Sequence, residues 1–347
     1  MIFLKKTTLF FSIHIFAIGC FASPNPSGNP LDPNNIEGLL LALELGQNRI
    51  SQLTWTSFDH GLQINSVTKN GNTIYALVNI SNTGTPNYQL HSSTDGITFN
   101  PMGVPFANGN TSINRISYFE NKLVVHSSTT MSSSIFTSSD LGATWNSIAI
   151  PNFTPSPTES FTCLLGNTNP TDLFAIFETN YYTSIDGGAI FNTSGLHTGI
   201  LPRRQSYCSR ENGIYYMVGG TRTSNSVNVS DILVSSTPAP STWTNANNGV
   251  LGIGPYSSQD CGTSYGGGGP SNLAFTTLSP SDWVAVGNSN VSRTKDSGST
   301  WECQYSRTND NSSVSTGQGL LVNIGNRVIG YSNPMSSSSS KGYYLDL

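Results

Sequence analysis

Ser138-Ser139-Asp140-Leu141-Gly142-Ala143-Thr144-Trp145 reads as a tight turn between two strands. The Asp side chain can bond its own backbone two residues on, Gly takes a positive φ without a Cβ clash, and the closing aromatic opens the next strand and anchors it in a core. The phrase recurs as Ser93-Thr94-Asp95-Gly96-Ile97-Thr98-Phe99, Ser184-Ile185-Asp186-Gly187-Gly188-Ala189-Ile190-Phe191 and Thr294-Lys295-Asp296-Ser297-Gly298-Ser299-Thr300-Trp301. Each copy lies between strand-like runs and predicts a hairpin.

Phe99, Trp145 and Phe191 follow one another at intervals of 46 residues, and the next copy ends 110 residues later at Trp301. A worn copy fills that gap: Ser235-Ser236-Thr237-Pro238-Ala239-Pro240-Ser241-Thr242-Trp243 keeps the Thr-Trp ending and has lost Asp and Gly. Units of this length cannot bury their faces alone, so regular repetition predicts a propeller or a related stacked array. Leu53-Thr54-Trp55-Thr56 reads as the fourth strand of a unit without its first three, and residues 319–324, 327–331 and 342–347 supply three strands. The expectation is an all-β, six-bladed β-propeller of four-stranded antiparallel blades, closed by pairing Leu53 to Ser57 with Tyr343 to Leu347, which removes an exposed sheet edge.

Composition agrees. The 347-residue chain holds 34 Gly and 18 Pro and is 10% charged, as expected for many short strands and turns. Its net charge of −4, without a basic patch interleaved with aromatics, argues against a nucleic-acid partner. A monomer is expected.

The N-terminus carries an export signal over residues 1–19: Lys5 and Lys6, then a short apolar run over 8–18. Ala17-Ile18-Gly19-Cys20 resembles the relaxed lipobox of spirochaetal bacterial lipoproteins. That resemblance implies an acylated Cys20 as mature N-terminus and a membrane-anchored location, outer membrane or cell surface. Ordinary cleavage after Ala22, discarding Cys20, is the alternative. Residues 20–50 form a tether: four prolines lie within 23–35, and the apolar run 36–45 reads as a short helix opened by Asn35, packed under the propeller or touching the membrane. The propeller takes 51–347.

Cys163, Cys208, Cys261 and Cys303 remain, an even number in an exported chain. Cys163 and Cys208 occupy similar places in the first strands of successive blades, which favours that bridge, with Cys261–Cys303 as the second and four free thiols as the other possibility. No Cys-x-x-Cys or Cys/His cluster points to a metal, and no cofactor is expected. His60, His91, His126 and His197 are scattered.

The Ser-x-Asp-x-Gly-x-Thr-Trp phrase resembles the Asp-box, or BNR repeat, of sialidases, photosystem-assembly propellers, sortilin-type receptors and other exported proteins. In that family the box lies at the outer rim of each blade, away from the ligand face. The resemblance therefore implies structural roles for Asp95, Asp140, Asp186 and Asp296 and assigns no catalytic residue. A sialidase would need three arginines for a carboxylate, a Tyr nucleophile with a Glu, and an Asp acid/base. Arg49-Ile50-Ser51 stands where such enzymes carry Arg-Ile-Pro, and Tyr207 or Tyr215 near Glu211 is the nearest Tyr/Glu candidate. Arg203, Arg204, Arg210, Arg222, Arg293, Arg307 and Arg327 fall in no matching motif.

The segment most expanded beyond the repeat, 244–272, carries Gly249, Tyr256, Asp260, Tyr265 and Gly266 to Gly269. Long loops on rigid scaffolds concentrate binding. The function expected is non-catalytic binding of a glycan or protein partner, with a sialidase-like or other glycosidase as the alternative.

Overall fold

The computed structural model describes residues 53–81, 87–107, 115–119, 121–128, 133–149, 161–166, 169, 171–177, 180–187, 190–196, 203–224, 227–239, 242–246, 274–286, 290–309, 316–332 and 340–347. Contacts divide the chain into Met1–Ser51 and Gln52–Leu347, and the described residues belong to the second unit.

Regular structure among them is all strand. β1 (Leu53–Asp59) is followed by an antiparallel sheet of β2 (Gln63–Asn70), β3 (Thr73–Asn79), β4 (Asn87–Ser93) and β5 (Asn100–Ala107). The next sheet holds β6 (Arg115–Phe119), β7 (Lys122–Ser128), β8 (Ser133–Ser138) and β9 (Asn146–Ala149). A third holds β10 (Phe161–Gly166), β11 (Leu173–Phe177), β12 (Asn180–Ser184) and β13 (Asn192–Leu196). β14 (Arg203–Glu211), β15 (Ile214–Ser224), β16 (Val227–Ser235) and β17 (Thr244–Asn245) make a fourth. β18 (Ala274–Thr277), β19 (Trp283–Val286), β20 (Asn290–Thr294) and β21 (Glu302–Thr308) follow, then β22 (Thr316–Ile324), β23 (Arg327–Ser332) and β24 (Lys341–Asp346).

β1 joins the last two groups. Its second half runs antiparallel to β24, with Thr56 opposite Tyr344 and Asp59 opposite Lys341. Its first half turns instead to β21 and pairs parallel, Leu53 opposite Ser306 and Trp55 opposite Thr308. The changeover is fastened by Asn309, whose N–H donates to the Trp55 carbonyl at 2.8 Å and whose Oδ1 accepts from the Ser57 hydroxyl at 3.0 Å. The parallel half was not expected from sequence. Its physical reason is Trp55, fully buried in a core that draws Val284 and Val291 from one group and Val328 and Leu345 from the other.

The second strands explain how the sheets stack. Along β3, Ile74, Ala76 and Val78 point into one core and Tyr75 and Leu77 into another, because successive residues of a strand face opposite sides. β15 does the same, sending Tyr215 and Met217 one way and Tyr216 and Val218 the other. Six such clusters occur among the described residues; five are filled from two sheets, and the one around Trp55 from the two groups that β1 joins. One of them joins Ile64, Ile74 and Val78 of β2 and β3 to Leu320, Ile329 and Tyr331 of β22 and β23.

Candidate functional site

The ends of the first strands, where the chain turns into each second strand, converge on a polar cluster. Lys69 on β2 places its Nζ 3.2 Å from Glu211 Oε2 on β14. The same ammonium donates to Asn323 Oδ1 on β22, and the Thr277 hydroxyl on β18 donates to Glu211 Oε2. Thr276 adds a bond to Asn323 Oδ1 at 3.1 Å, while Asn323 Nδ2 donates to the Gly325 carbonyl at 3.0 Å. Four first strands are thereby tied together by side chains alone. Both partners of the ion pair are mostly shielded, 21% and 12% exposed, which makes its Coulomb attraction stronger than that of a surface pair.

Around this cluster lies a cavity of about 380 Å³, rimmed by Asn70 and Gly71, Asn212 and Gly213, and Leu278, with Tyr118 and Arg210 in its wall. Asn212 and Gly213 both adopt positive φ, 53° and 77°, which carries the β14–β15 turn tightly round the rim. Tyr118 stacks on Tyr75, centroids 5.6 Å apart and rings 16° from parallel, and its hydroxyl donates to Asn121 Oδ1 at 3.1 Å. The Arg210 guanidinium lies over the Tyr215 ring, 5.3 Å from its centroid. A second cavity of about 40 Å³, bounded by Thr68, Ser117, Gly166 and Ser209, shares Lys69, Tyr118, Arg210 and Glu211 with the first.

The phrases singled out in sequence form four turns of one design. Ser93, Ser138, Ser184 and Thr294 are buried, and each hydroxyl donates to its Asp, at 2.8, 2.7, 2.6 and 2.7 Å respectively. Ser93, Ser138 and Thr294 also accept the N–H of Gly96, Gly142 and Gly298. Asp140 takes the Thr144 hydroxyl at 2.6 Å and the Thr144 N–H at 2.9 Å; Asp296 takes the same pair from Thr300 at 2.6 and 2.8 Å. These bonds, the Thr hydroxyl first, hold both carboxyls down at about 2. In the worn copy the Ser235 hydroxyl reaches Thr242 Oγ1 directly at 2.7 Å, so Thr242 takes over where no Asp is present. In the third turn Gly187 holds the positive φ, 74°, and Gly188 lies outside the described residues. The closing aromatics differ: Phe191 and Trp243 are buried, whereas Phe99, Trp145 and Trp301 are half-buried.

The other sequence candidates separate. The Tyr215 hydroxyl is buried and donates to the Gly166 carbonyl at 2.8 Å, so it does not pair with Glu211; the Tyr207 side chain lies outside the described residues. Arg293 forks onto Asp282 at 2.9 and 2.7 Å, and Arg327 onto Asp346 at 2.7 and 3.1 Å while covering Tyr344 at 4.3 Å. The side chains of Arg203, Arg204, Arg222 and Arg307 are outside the described residues, as are Cys20, Cys261, His197 and nearly all of 244–272. Cys208 is buried and disulfide-bonded; the side chains of Cys163 and Cys303 are outside the described residues. Burial, reinforced by Arg115, pushes His126 down to about 3. Among the described residues no three His, Cys, Asp or Glu gather as metal ligands would. Lys69, Thr277 and Asn323 were not found from sequence, since nothing local marks a side chain that meets its partner on another sheet.

Neither a protein-family model nor a curated protein matches the chain. Among solved structures, the endosialidase of phage phi92 is similar over 85% of this chain and 69% of its own, at 8% identity and TM-score 0.50. YCF48 bound to D1 peptide is similar over 86% and 97%, at 12% identity and TM-score 0.48. The GH43 BlXynB protein from Bacillus licheniformis is similar over 84% and 59%, at 12% identity and TM-score 0.43. These are β-propeller proteins, and at such identities the likeness speaks to fold alone. The chain has a β-propeller fold.

Proposed function

We propose that this chain is an exported, membrane-anchored β-propeller that binds a glycan or protein partner without catalysis. The observation that carries the reading is the chemistry of the turn-lined mouth. The carboxylate among its described lining residues is Glu211, already engaged by Lys69 and Thr277. Most glycoside hydrolases use two carboxyl groups roughly 5–9.5 Å apart, and a sialidase-like enzyme a Tyr nucleophile with a Glu and an Asp acid/base, so either needs a carboxyl group able to give up a proton. A polar, partly shielded cavity with a locked carboxylate is suited to holding a ligand. Incubation with a panel of glycosides, with binding and product release followed together, tests this. Binding without release is expected; release that disappears in Glu211→Gln makes the chain a glycosidase.

Six blades, closed into a ring by β1, complete the reading. Support comes from Thr56 opposite Tyr344, from the core shared by β2–β3 and β22–β23, and from the buried Tyr331 hydroxyl, which donates to the Gly96 carbonyl at 2.9 Å.

The anchor is Cys20, acylated after removal of residues 1–19, with 20–50 as tether. Cys20→Ala should leave the precursor uncleaved and move the protein out of the detergent phase in a phase-partition assay. Unchanged processing and partitioning would reject the anchor and favour cleavage after Ala22.

A further inference from the structure

We propose that Lys69 and Asn323 join as an intramolecular amide once the chain has folded, with Glu211 moving the protons. The inference goes beyond the binding reading and does not depend on it. Lys69 Nζ donates to Asn323 Oδ1 and lies 3.2 Å from Glu211 Oε2. Asn323 is 5% exposed, and Thr276 and Thr277, which donate to Asn323 and Glu211, are each 1% exposed. An amine, a carboxamide and a carboxylate thus meet in contact where water has little access.

Carboxamides resist amines in water because an ammonium has no lone pair and an amide nitrogen leaves poorly. The cluster answers both obstacles. Proton transfer from Lys69 to Glu211 discharges two shielded groups at once and frees the amine lone pair. Asn323 Oδ1 also accepts the Thr276 hydroxyl at 3.1 Å, a donor placed where negative charge develops on attack. Asn323 Nδ2 donates to the Gly325 carbonyl at 3.0 Å, which fixes the amide plane. A C=O bond is about 1.2 Å long, so Nζ is no more than that much farther from Cγ than from Oδ1, and the flexible Lys69 stem covers the difference.

In the reaction a bond forms between Lys69 Nζ and Asn323 Cγ while the carbonyl electron pair moves onto Oδ1. Its return breaks the Cγ–Nδ2 bond. Of the three ammonium protons, one stays on the new amide, one reaches Nδ2 through Glu211 so that ammonia leaves, and one remains on Glu211 until solvent takes it. Nothing is oxidised or reduced. Glu211 then accepts the new amide N–H.

Lys69 on β2 and Asn323 on β22 are 254 positions apart and belong to different sheets. The bond ties those sheets covalently, across the junction that the Tyr331 hydroxyl bridges to the Gly96 carbonyl. Unlike a disulfide, the tie survives reductant. In a Lys69 variant its loss adds to the stranding of Glu211.

The test is mass spectrometry of the full chain after reduction. Wild type should weigh one ammonia less than its processed sequence, and proteolysis should yield one branched peptide that holds both Lys69 and Asn323. The peptide map locates the loss, because Asn70-Gly71 and Asn212-Gly213 can shed ammonia by cyclising. Lys69→Arg, Asn323→Ala and Glu211→Gln should each give two linear peptides, and each should run behind wild type in SDS with reductant, where the tied chain keeps its loop. Should the variants fold poorly, the wild-type map decides alone. Lys69 and Asn323 recovered in separate linear peptides from folded wild type, or a branched peptide that persists in Glu211→Gln, overturns the proposal; both leave the binding reading untouched.

Discussion

Lys69 Nζ lies 3.2 Å from Glu211 Oε2, an ion pair between the first strands of two different sheets that Thr277 and Asn323 extend to two more. Among the described residues no backbone ladder joins one first strand to the next, so this network, like the Ile116 and Tyr118 N–H groups that donate to Ser66 and Thr68, fixes their relative positions.

Lys69→Met should destabilise the protein by about 1–3 kcal/mol, because it strands a mostly shielded carboxylate. Adding Glu211→Leu should recover part of the loss, since removing both partners also removes the desolvation penalty. Urea denaturation of the two singles and the double checks this; strictly additive losses would mean that the pair is not coupled.

The tryptophans should rank by burial. Trp55→Ala, which empties a fully buried site between β21 and β24, should cost about 3–5 kcal/mol. Trp145→Ala and Trp301→Ala should cost less, since both rings are half-buried. Calorimetric midpoints for the three proteins give the order directly.

Glycines with similar φ should differ by what surrounds them. Gly187 and Gly298 both have positive φ, 74° and 89°, but a Cβ at Gly187 meets nothing within 4 Å, whereas one at Gly298 collides with the Ala246 carbonyl of the preceding sheet. Gly187→Ala should cost about 1–2 kcal/mol, the left-handed strain alone. Gly298→Ala should cost a further 1–3 kcal/mol, roughly, from overpacking. Equal losses in denaturation would show that the turn does not lean on its neighbour.

Stability should fall with acid in two stages. His126 is held at about 3, below its usual 6.5, so its contribution is complete above 6.5 and is lost as pH falls through about 3. Asp140 and Asp296 are held at about 2, below 3.8, so theirs is present above 3.8 and lost as pH falls through about 2. Thermal midpoints against pH should therefore decline from 6.5 downward in the wild type. His126→Gln should flatten the decline between 6.5 and about 3, and Asp140→Asn should flatten it below 3.8. A His126→Gln profile parallel to wild type would place the upper stage elsewhere, at His60 or His91.

The turns were legible because their chemistry is local: Ser138, Asp140, Gly142 and Thr144 satisfy one another within seven residues. Trp55 was legible as a strand residue, but not its parallel partner β21, because a parallel pairing leaves no trace in the spacing of one chain. Half-burial of Trp145 and Trp301 was likewise hidden, since the same aromatic closes the phrase whether a core or a rim receives it. The mouth was least legible. Lys69, Glu211, Thr277 and Asn323 come from four units and become one site only once the sheets stand side by side. Glu211 was noticed as a partner for a tyrosine, and its partners are a lysine and a threonine.

A paired titration tests the central claim that ligand binding sits at the mouth and that the Asp turns are scaffold. Arg210→Gln, at a residue lining the mouth, and Asp296→Ala are compared with wild type for affinity toward the tightest-binding member of the glycoside panel and for thermal midpoint on the same samples. Arg210→Gln should lose affinity at a near-wild-type midpoint, and Asp296→Ala should lower the midpoint and keep the affinity of the folded protein. An Asp296→Ala protein with the wild-type midpoint and no binding, beside an Arg210→Gln protein that binds normally, would contradict the account and move the site to the turns.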